Sequence, residues 1–304
     1  MGWVFIILSV IILTLLSVII QYMSPFIYDT FWLSINHSLW NRQETYIAIG
    51  TLLSVGCIWI IDDYLNIREI WRTKWLSARV KMICLTIFWL IWAYWFSSKL
   101  GYSSIHIPFL GDIEPDLWFT SITIGSSHFW LIYMAIFVLI LISSANSVNI
   151  TDGLDGLAWW LLFFQYAAYG FITYTQNLFI LSSLCFIIAW ALLAFLWFNI
   201  HPARIFMGDV GSLSLWATLA VVAFITDTIP AFIVMSGIFI LETLSVIIQM
   251  TSKKLRNGKK VFRVAPFHHH LESIWWQEQT IVMRLWLVGI ILTATGMIIA
   301  IIGK

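Results

Sequence analysis

The chain has 304 residues, of which 61% are apolar and only 10% charged, with a formal net charge of +1 and a mean hydropathy of +0.92. Soluble domains run about 45–50% apolar and about 25% charged, so a water-soluble globular fold is excluded, and so apolar a chain is a poor partner for nucleic acid. Cys57, Cys84 and Cys185 lie inside apolar stretches without ligand spacing, and read as small core residues rather than a disulfide or redox centre.

Runs of about 20 apolar residues read as membrane spans. Nine are expected, at 3–22, 44–61, 80–98, 128–146, 157–174, 178–198, 212–228, 230–250 and 281–301. The first is too long for a cleaved leader and lacks its basic start. The second closes on IDDYLN (61–66), where Asp62 and Asp63 could cap a helix, pair with Arg68 or serve chemistry; the basic stretch REIWRTKWLSARVK (68–81) follows. GYSSIHIPFLGDIEPDLW (101–118) reads as a short hairpin outside the membrane.

After the fourth run comes NSVNITDGLDGLA (146–158). Asn146, Asn149, Asp152 and Asp155 recur every third residue, forming one stripe on a helix. Gly153 and Gly156 predict that the helix loosens there, bringing backbone amides close to a ligand. A helix cap would use one such group, not four. Beyond the sixth run lies LWFNIHPARIFMGDVGSL (196–213), in which Asp209 could cap a helix starting near Ser212. In LETLSVIIQM (241–250), Glu242 and Gln249 stand seven apart, on one helix face expected to line a cleft. RVAPFHHHLE (263–272) precedes the last run; its three histidines, on an extended backbone, would point in different directions, which disfavours a zinc site. Many of the 19 tryptophans lie near run ends, where interfacial belts form.

Lys and Arg set the sidedness. Thirteen fall in or beside the loops 62–79, 147–156, 199–211 and 251–280, and only Arg42, Lys99 and Lys304 on the other side. The first set is therefore expected to be cytoplasmic, with the amino terminus inside and the carboxyl terminus outside. All four polar clusters fall on that same face. The expected architecture is an all-α integral membrane protein, a polytopic helical bundle of about nine transmembrane helices in a single domain (1–304), with its active-site cleft on the cytoplasmic face. Acidic groups gathered there suit Mg2+, a hard cation that takes oxygen ligands and keeps waters for substrate phosphates. A cation-coupled transporter is the reading from another class, but it would place its acids near the midplane.

Together IDDYLN, NSVNITDGLDGLA, LWFNIHPARIFMGDVGSL and RVAPFHHHLE resemble the polyprenyl-phosphate N-acetylhexosamine-1-phosphate transferases, over nearly the whole chain. The histidine triplet in its proline-containing setting favours the muramoyl-pentapeptide branch over the GlcNAc-phosphate branch. The resemblance implies transfer of phospho-MurNAc-pentapeptide from UDP-MurNAc-pentapeptide to undecaprenyl phosphate. The products would be lipid I, for peptidoglycan synthesis, and UMP; the setting would be the bacterial inner membrane, and the assembly a homodimer. It further implies that Asp62 and Asp63 activate the lipid phosphate, by direct attack or through a covalent step. Asp209 would bind magnesium and the diphosphate. Asn149, Asp152 and Asp155 would take the nucleotide side, Phe206 would stack on uracil, Asn199 would line the cleft, and His268, His269 and His270 would lie near the sugar phosphate. Two departures stand out. The family's DDxxK pattern has Asn66 in place of the lysine, and the family's first helix is expected to be absent, since Met1-Gly2 aligns with the end of the segment that follows it. An inactive, substrate-binding relative is the reading those departures would favour.

Overall fold

The computed structural model describes residues 2–23, 39, 43–67, 78–98, 101–116, 121–124 and 127–303. Among these, eleven helices run α1 Gly2–Tyr22, α2 Gln43–Ile67, α3 Ala78–Ser98, α4 Leu131–Thr151, α5 Leu157–Thr175, α6 Phe179–Asn199, α7 Gly208–Ile225, α8 Ile229–Met235, α9 Gly237–Leu255, α10 Phe267–Ser273 and α11 Glu278–Ile302. Helices dominate because hydrocarbon offers no partner for backbone N–H and C=O groups, and a helix satisfies them within itself.

Each of the nine expected runs falls mainly on a helix, that at 128–146 beginning on a strand (Ser127–Trp130) and that at 230–250 lying on the pair α8 and α9, bent by 71°. Five described helices (α1, α4, α6, α7 and α11) are long and apolar enough to cross a membrane, and the bent pair makes a sixth. α2 and α3 hold shorter apolar stretches, Glu44–Ile60 and Leu85–Ser97. The protein is a helical membrane protein. α5 falls outside the span-like set although it too is a full helix. Its polar Gln165, Tyr166, Tyr169 and Thr173 are all buried, so it faces protein rather than lipid. Gln165 donates to the Met235 carbonyl (2.7 Å) and Tyr166 to that of Leu215 (2.5 Å).

α7 is the central post. Every residue from Val210 to Ile225 is buried, and α2, α4 and α1 pack around it. Small residues at Gly211, Ser212, Ser214, Ala217 and Ala220 permit that close approach. The hydroxyls among them bond within the helix, Ser214 to Val210 O (2.6 Å) and Thr218 to Ser214 O (2.8 Å). α5 pairs with α6, and α11 lies across α5 and α8. By contrast α1 turns Phe5, Leu8, Leu15 and Ile19 outward, as a lipid-facing helix does.

The expected hairpin is present: β1 (Ile105–Ile107) pairs antiparallel with β2 (Gly111–Ile113). A second pair joins β3 (Ser121–Ile124) to β4 (Ser127–Trp130). The first hairpin closes one end of the bundle. Tyr102 Oη donates to Ile225 O (3.1 Å) at the end of α7, and the His106 ring meets Gly303 O (3.0 Å) after α11. The other end holds the start of α7, and there the Gly2 amide of α1 donates to Phe206 O (2.9 Å).

Candidate functional site

α4 stays helical through Thr151 and then breaks into a turn over residues 152–156. The break follows the glycines: Gly156, at the amino-terminal boundary of α5, sits at φ 77°, a left-handed conformation that favours glycine. Of the expected stripe, Asn146 turns back to its own helix, donating to Ile142 O (2.8 Å). Asn149 instead reaches across, its Nδ2 donating to Asp209 Oδ1 (2.9 Å). Asp209 does not cap a helix starting at Ser212. The helix starts at Gly208, with Asp209 exposed in its first turn and no side-chain cap on its boundary residue, Met207.

Asp155 is held from three sides. Its amide donates to Glu278 Oε1 (3.0 Å), and its Oδ2 accepts from His201 Nδ1 (3.0 Å) and the Ala203 amide (3.0 Å). His201 Nδ1 also lies 3.3 Å from Glu278 Oε2. Asp155, His201 and Glu278 thus bring one ligand atom each within 4.8 Å of one another, a set that could hold a metal ion. Sequence reading passed over His201 and Glu278; both stand at the ends of apolar runs, the position that marked the acids it did select.

Asp152 lies between these groups. Burial pushes its carboxyl up to about 7, the Asp209 and Asp155 carboxylates push the same way, and a hydrogen bond with Trp159 opposes them. A cation with oxygen ligands would favour the charged form of these grouped carboxyls and offset that burial. Asp209, exposed beside Asp152, fits such an ion.

Asn199 was expected to line a cleft, yet it is buried and fully occupied by backbone. Its Oδ1 accepts from the Gly156 amide (3.0 Å) and its Nδ2 donates to Ile205 O (2.8 Å). It ties the 152–156 turn to the segment carrying Phe206 and Asp209. Phe206 is 64% exposed, three residues before Asp209.

The histidine triplet lies on the short helix α10, not on an extended backbone, and its side chains take different partners, although the His268 and His269 rings pack with centroids 4.2 Å apart. His268 meets Glu242, His269 Nδ1 lies 2.5 Å from Glu272 Oε2, and His270 Nδ1 accepts from the Arg263 amide (3.2 Å). Glu242 and Gln249 do share one buried face. Rather than lining an open cleft, they hold this segment.

Asp62 and Asp63 lie near the end of α2, and their side chains fall outside the described residues, as do Arg68, Arg72 and Lys74. The helix axis still places them. A Cβ on Gly56 would lie 3.1 Å from Ile7 of α1, five residues past Gly2 at the site end, so α2 runs toward that end from the hairpin end. Its 25 residues span about 37 Å at about 1.5 Å each, which brings its far end to the site end.

An apolar groove of about 270 Å³ lies along the same α4, lined as far as Ser147, two residues before Asn149. Its walls include Leu139 and Ile140 of α4, Trp216 of α7, and Phe232, Ile240 and Leu244 across the bend between α8 and α9.

Residues 45–227 match the family described as Glycosyl transferase family 4. The chain is 35% identical to a phospho-N-acetylmuramoyl-pentapeptide-transferase of Geobacillus sp. (strain WCH70) over 257 residues, 84% of this chain and 74% of that protein. It is equally identical to one from Solibacter usitatus over 318 residues, covering 96% of this chain and 78% of the relative. To one from Francisella philomiragia it is 35% identical over 283 residues, 86% and 74% of the two chains.

Proposed function

The chain belongs to glycosyl transferase family 4, and from that premise we propose that it transfers phospho-MurNAc-pentapeptide from UDP-MurNAc-pentapeptide to undecaprenyl phosphate, making lipid I and releasing UMP, with Mg2+ as cofactor. At the coarser level it is a multi-pass membrane phosphoglycosyl transferase. The setting of the proposed reaction is the bacterial inner membrane, with the Asp209 end facing the cytoplasm.

One observation carries the reading. A polar, acid-rich turn and an apolar groove share a single helix. Asn149 of α4 holds Asp209, while Leu139 and Ile140 of the same helix wall the groove. That pairing suits an acceptor with a phosphate head and a hydrocarbon tail, because the tail stays in an apolar channel while the head meets the donor. Area and polarity alone would not bring such a substrate to a helix end.

In this reading an oxygen of the lipid phosphate attacks the phosphorus bonded to the sugar. The bond from that phosphorus to the bridging oxygen breaks, and UMP leaves with the oxygen and its electron pair. Little covalent chemistry falls to the protein; it supplies position and charge. Asp62 and Asp63 would serve the lipid phosphate, and the uncapped first-turn amides of α7 would face the diphosphate, as helix amino termini do for anions. Asp209, with Asp152 beside it, would hold magnesium, which when bound neutralises charge on phosphate oxygens. Asp155 fixes the nucleotide-side turn, and Phe206 offers an exposed ring to the base. His269 and His270, partly exposed on α10, would meet the sugar phosphate, with Asn199 and His268 as buried supports.

The test is UMP release by purified protein with undecaprenyl phosphate and Mg2+, offered UDP-MurNAc-pentapeptide or UDP-GlcNAc, with Asp209→Asn as control. Release from the muramoyl donor by the unaltered protein alone is the expected result. Release from UDP-GlcNAc alone would overturn the donor assignment, and none from either would favour a substrate-binding relative.

A further inference from the structure

We propose that Glu242 and His268 form a buried positioning pair that seats the Gly153 turn, and through it the Asp152 and Asp155 carboxylates; this rests on the reading of that turn as part of the donor site. Both residues are 0% exposed. A carboxylate in the middle of an apolar helix is expensive to bury, and persists only where it is held and used.

Among the described residues Glu242 is held by a single neighbour. Its Oε2 accepts from the His268 amide (3.2 Å) and from His268 Nδ1 (3.0 Å). The first bond fixes where the chain enters α10, and the second fixes the ring. With Nδ1 bonded to Glu242, the opposite ring edge, which carries Nε2, is turned away from it. That edge faces Gly153. A Cβ built on Gly153 would overlap Nε2 and lie 3.0 Å from Cε1. Nε2 and Glu242 Oε1 have no hydrogen-bond partner among the described residues, so contact with the turn, rather than further bonding, accounts for where the ring sits. Gly153 is glycine here because an imidazole occupies the space of its side chain.

The rest of the α9 face supports the pair. Gln249 Oε1 accepts from the Val261 and Phe262 amides (both 3.0 Å), its Nε2 donates to Phe262 O (2.8 Å), and Ser252 Oγ donates to Lys259 O (2.9 Å). The loop before α10 is thereby strapped to the helix that carries Glu242. The path runs from α9 through Glu242 and the His268 ring to Gly153, the residue next to Asp152. His268 acts on the reaction from beneath the turn, as a positioning residue.

A double-mutant cycle tests this, because residues in contact are coupled and distant ones add. Gly153→Ala is expected to cut kcat about 100-fold, the scale of a small misplacement of a reacting group. In a His268→Ala background the same change is expected to cost about 3-fold or less, since the obstructing ring is gone. Glu242→Leu should match His268→Ala and add nothing to it, while Glu242→Gln, which keeps an oxygen facing both donors, should restore most of the activity that Glu242→Leu loses. If Gly153→Ala costs as much without His268 as with it, the proposal is wrong. Amide hydrogen exchange gives a readout independent of the donor. It is expected to speed up at residues 152–156 in His268→Ala and Glu242→Leu, with the β1–β2 hairpin unchanged. Should Glu242→Leu not fold, Glu242→Asp, which withdraws the carboxylate by one methylene, is expected to speed exchange at the same residues. If the unaltered protein releases no UMP, the donor reading has failed, and exchange still decides the pair: an undisturbed turn in His268→Ala overturns it.

Discussion

The two ends of the bundle treat charge in opposite ways. At the hairpin end three acids are spent on structure. Asp116 gives both oxygens to the amides of Ile132 and Tyr133 (2.8 and 2.9 Å), closing the start of α4. Asp227 accepts from the His106 amide (3.0 Å), and Asp112 from its ring (2.7 Å). At the site end Asp155 and Glu278 are likewise bonded, but Asp152 and Asp209 stand close beside them, and burial first, then the neighbouring carboxylates, raises the Asp152 carboxyl. Acids that build a fold are saturated by donors; acids kept for a ligand retain unspent capacity, at a cost in stability.

The strongest way to break this contrast is Asp209→Asn. If Asp209 is unspent charge, its loss should reduce UMP release about 1,000-fold, the upper scale for removing one electrostatic stabiliser, while insertion and melting stay near normal. Near-normal turnover would put Asp209 with the structural acids.

A matched pair of alanine variants sharpens it. Asp116→Ala and Asn199→Ala each strip two hydrogen bonds, and each should cost about 1–3 kcal/mol per backbone group left buried without a partner. Both should therefore lower the melting temperature. Only Asn199→Ala should also lower the kcat of the protein that remains folded, by about 10-fold, because it frees Gly156 and Ile205 on either side of the site. Equal kcat in the two variants would mean that the turn does not depend on its strap.

A smaller effect is expected at Asn66, in the last turn of α2. Asn66→Lys should raise UMP release by about 2–5-fold, the worth of a partly screened charge near phosphate (about 0.5–1 kcal/mol). An unchanged or lower rate would show that neighbouring bases already serve.

Sequence made the site end legible because its signal is local. Polar residues are out of place beside apolar runs, so NSVNITDGLDGLA and FMGDVGS announced themselves, and Lys and Arg counts put them on one face. The helices followed from length and apolarity alone. What sequence hid were pairings across the bundle. Glu242 looked like a cleft residue because spacing gives its face and not its partner, and only the packing of α10 supplies His268. Asn199 and His201 stand two apart, yet one is a buried strap and the other a hydrogen-bond partner of Asp155. α5 read as a span because Gln165 and its tyrosines are satisfied by neighbours that no single run reveals.

The smallest expected effect lies at the other end and tests whether the two are independent. The His106 ring offers Nδ1 to Asp112 Oδ1 (2.7 Å) and Nε2 to Gly303 O (3.0 Å). Both partners are acceptors, so only the doubly protonated ring fills both bonds. Accordingly its pKa is raised, by the Gly303 carbonyl first and then by the bond to Asp112. A group whose pKa rises on folding stabilises the fold fully below its unfolded value, about 6.5 for histidine, and loses that contribution as pH climbs through the folded value. Protection of the β1–β2 amides, corrected for intrinsic exchange, should therefore be greater near about pH 6 than near about pH 9, and His106→Gln should flatten the difference. Because Asp112 is 65% exposed, added salt should shrink it further. Hairpin protection that is flat with pH in the unaltered protein would remove the charged ring from the structure of that end. A change in UMP release on His106→Gln would show that the saturated end and the unspent end are coupled after all.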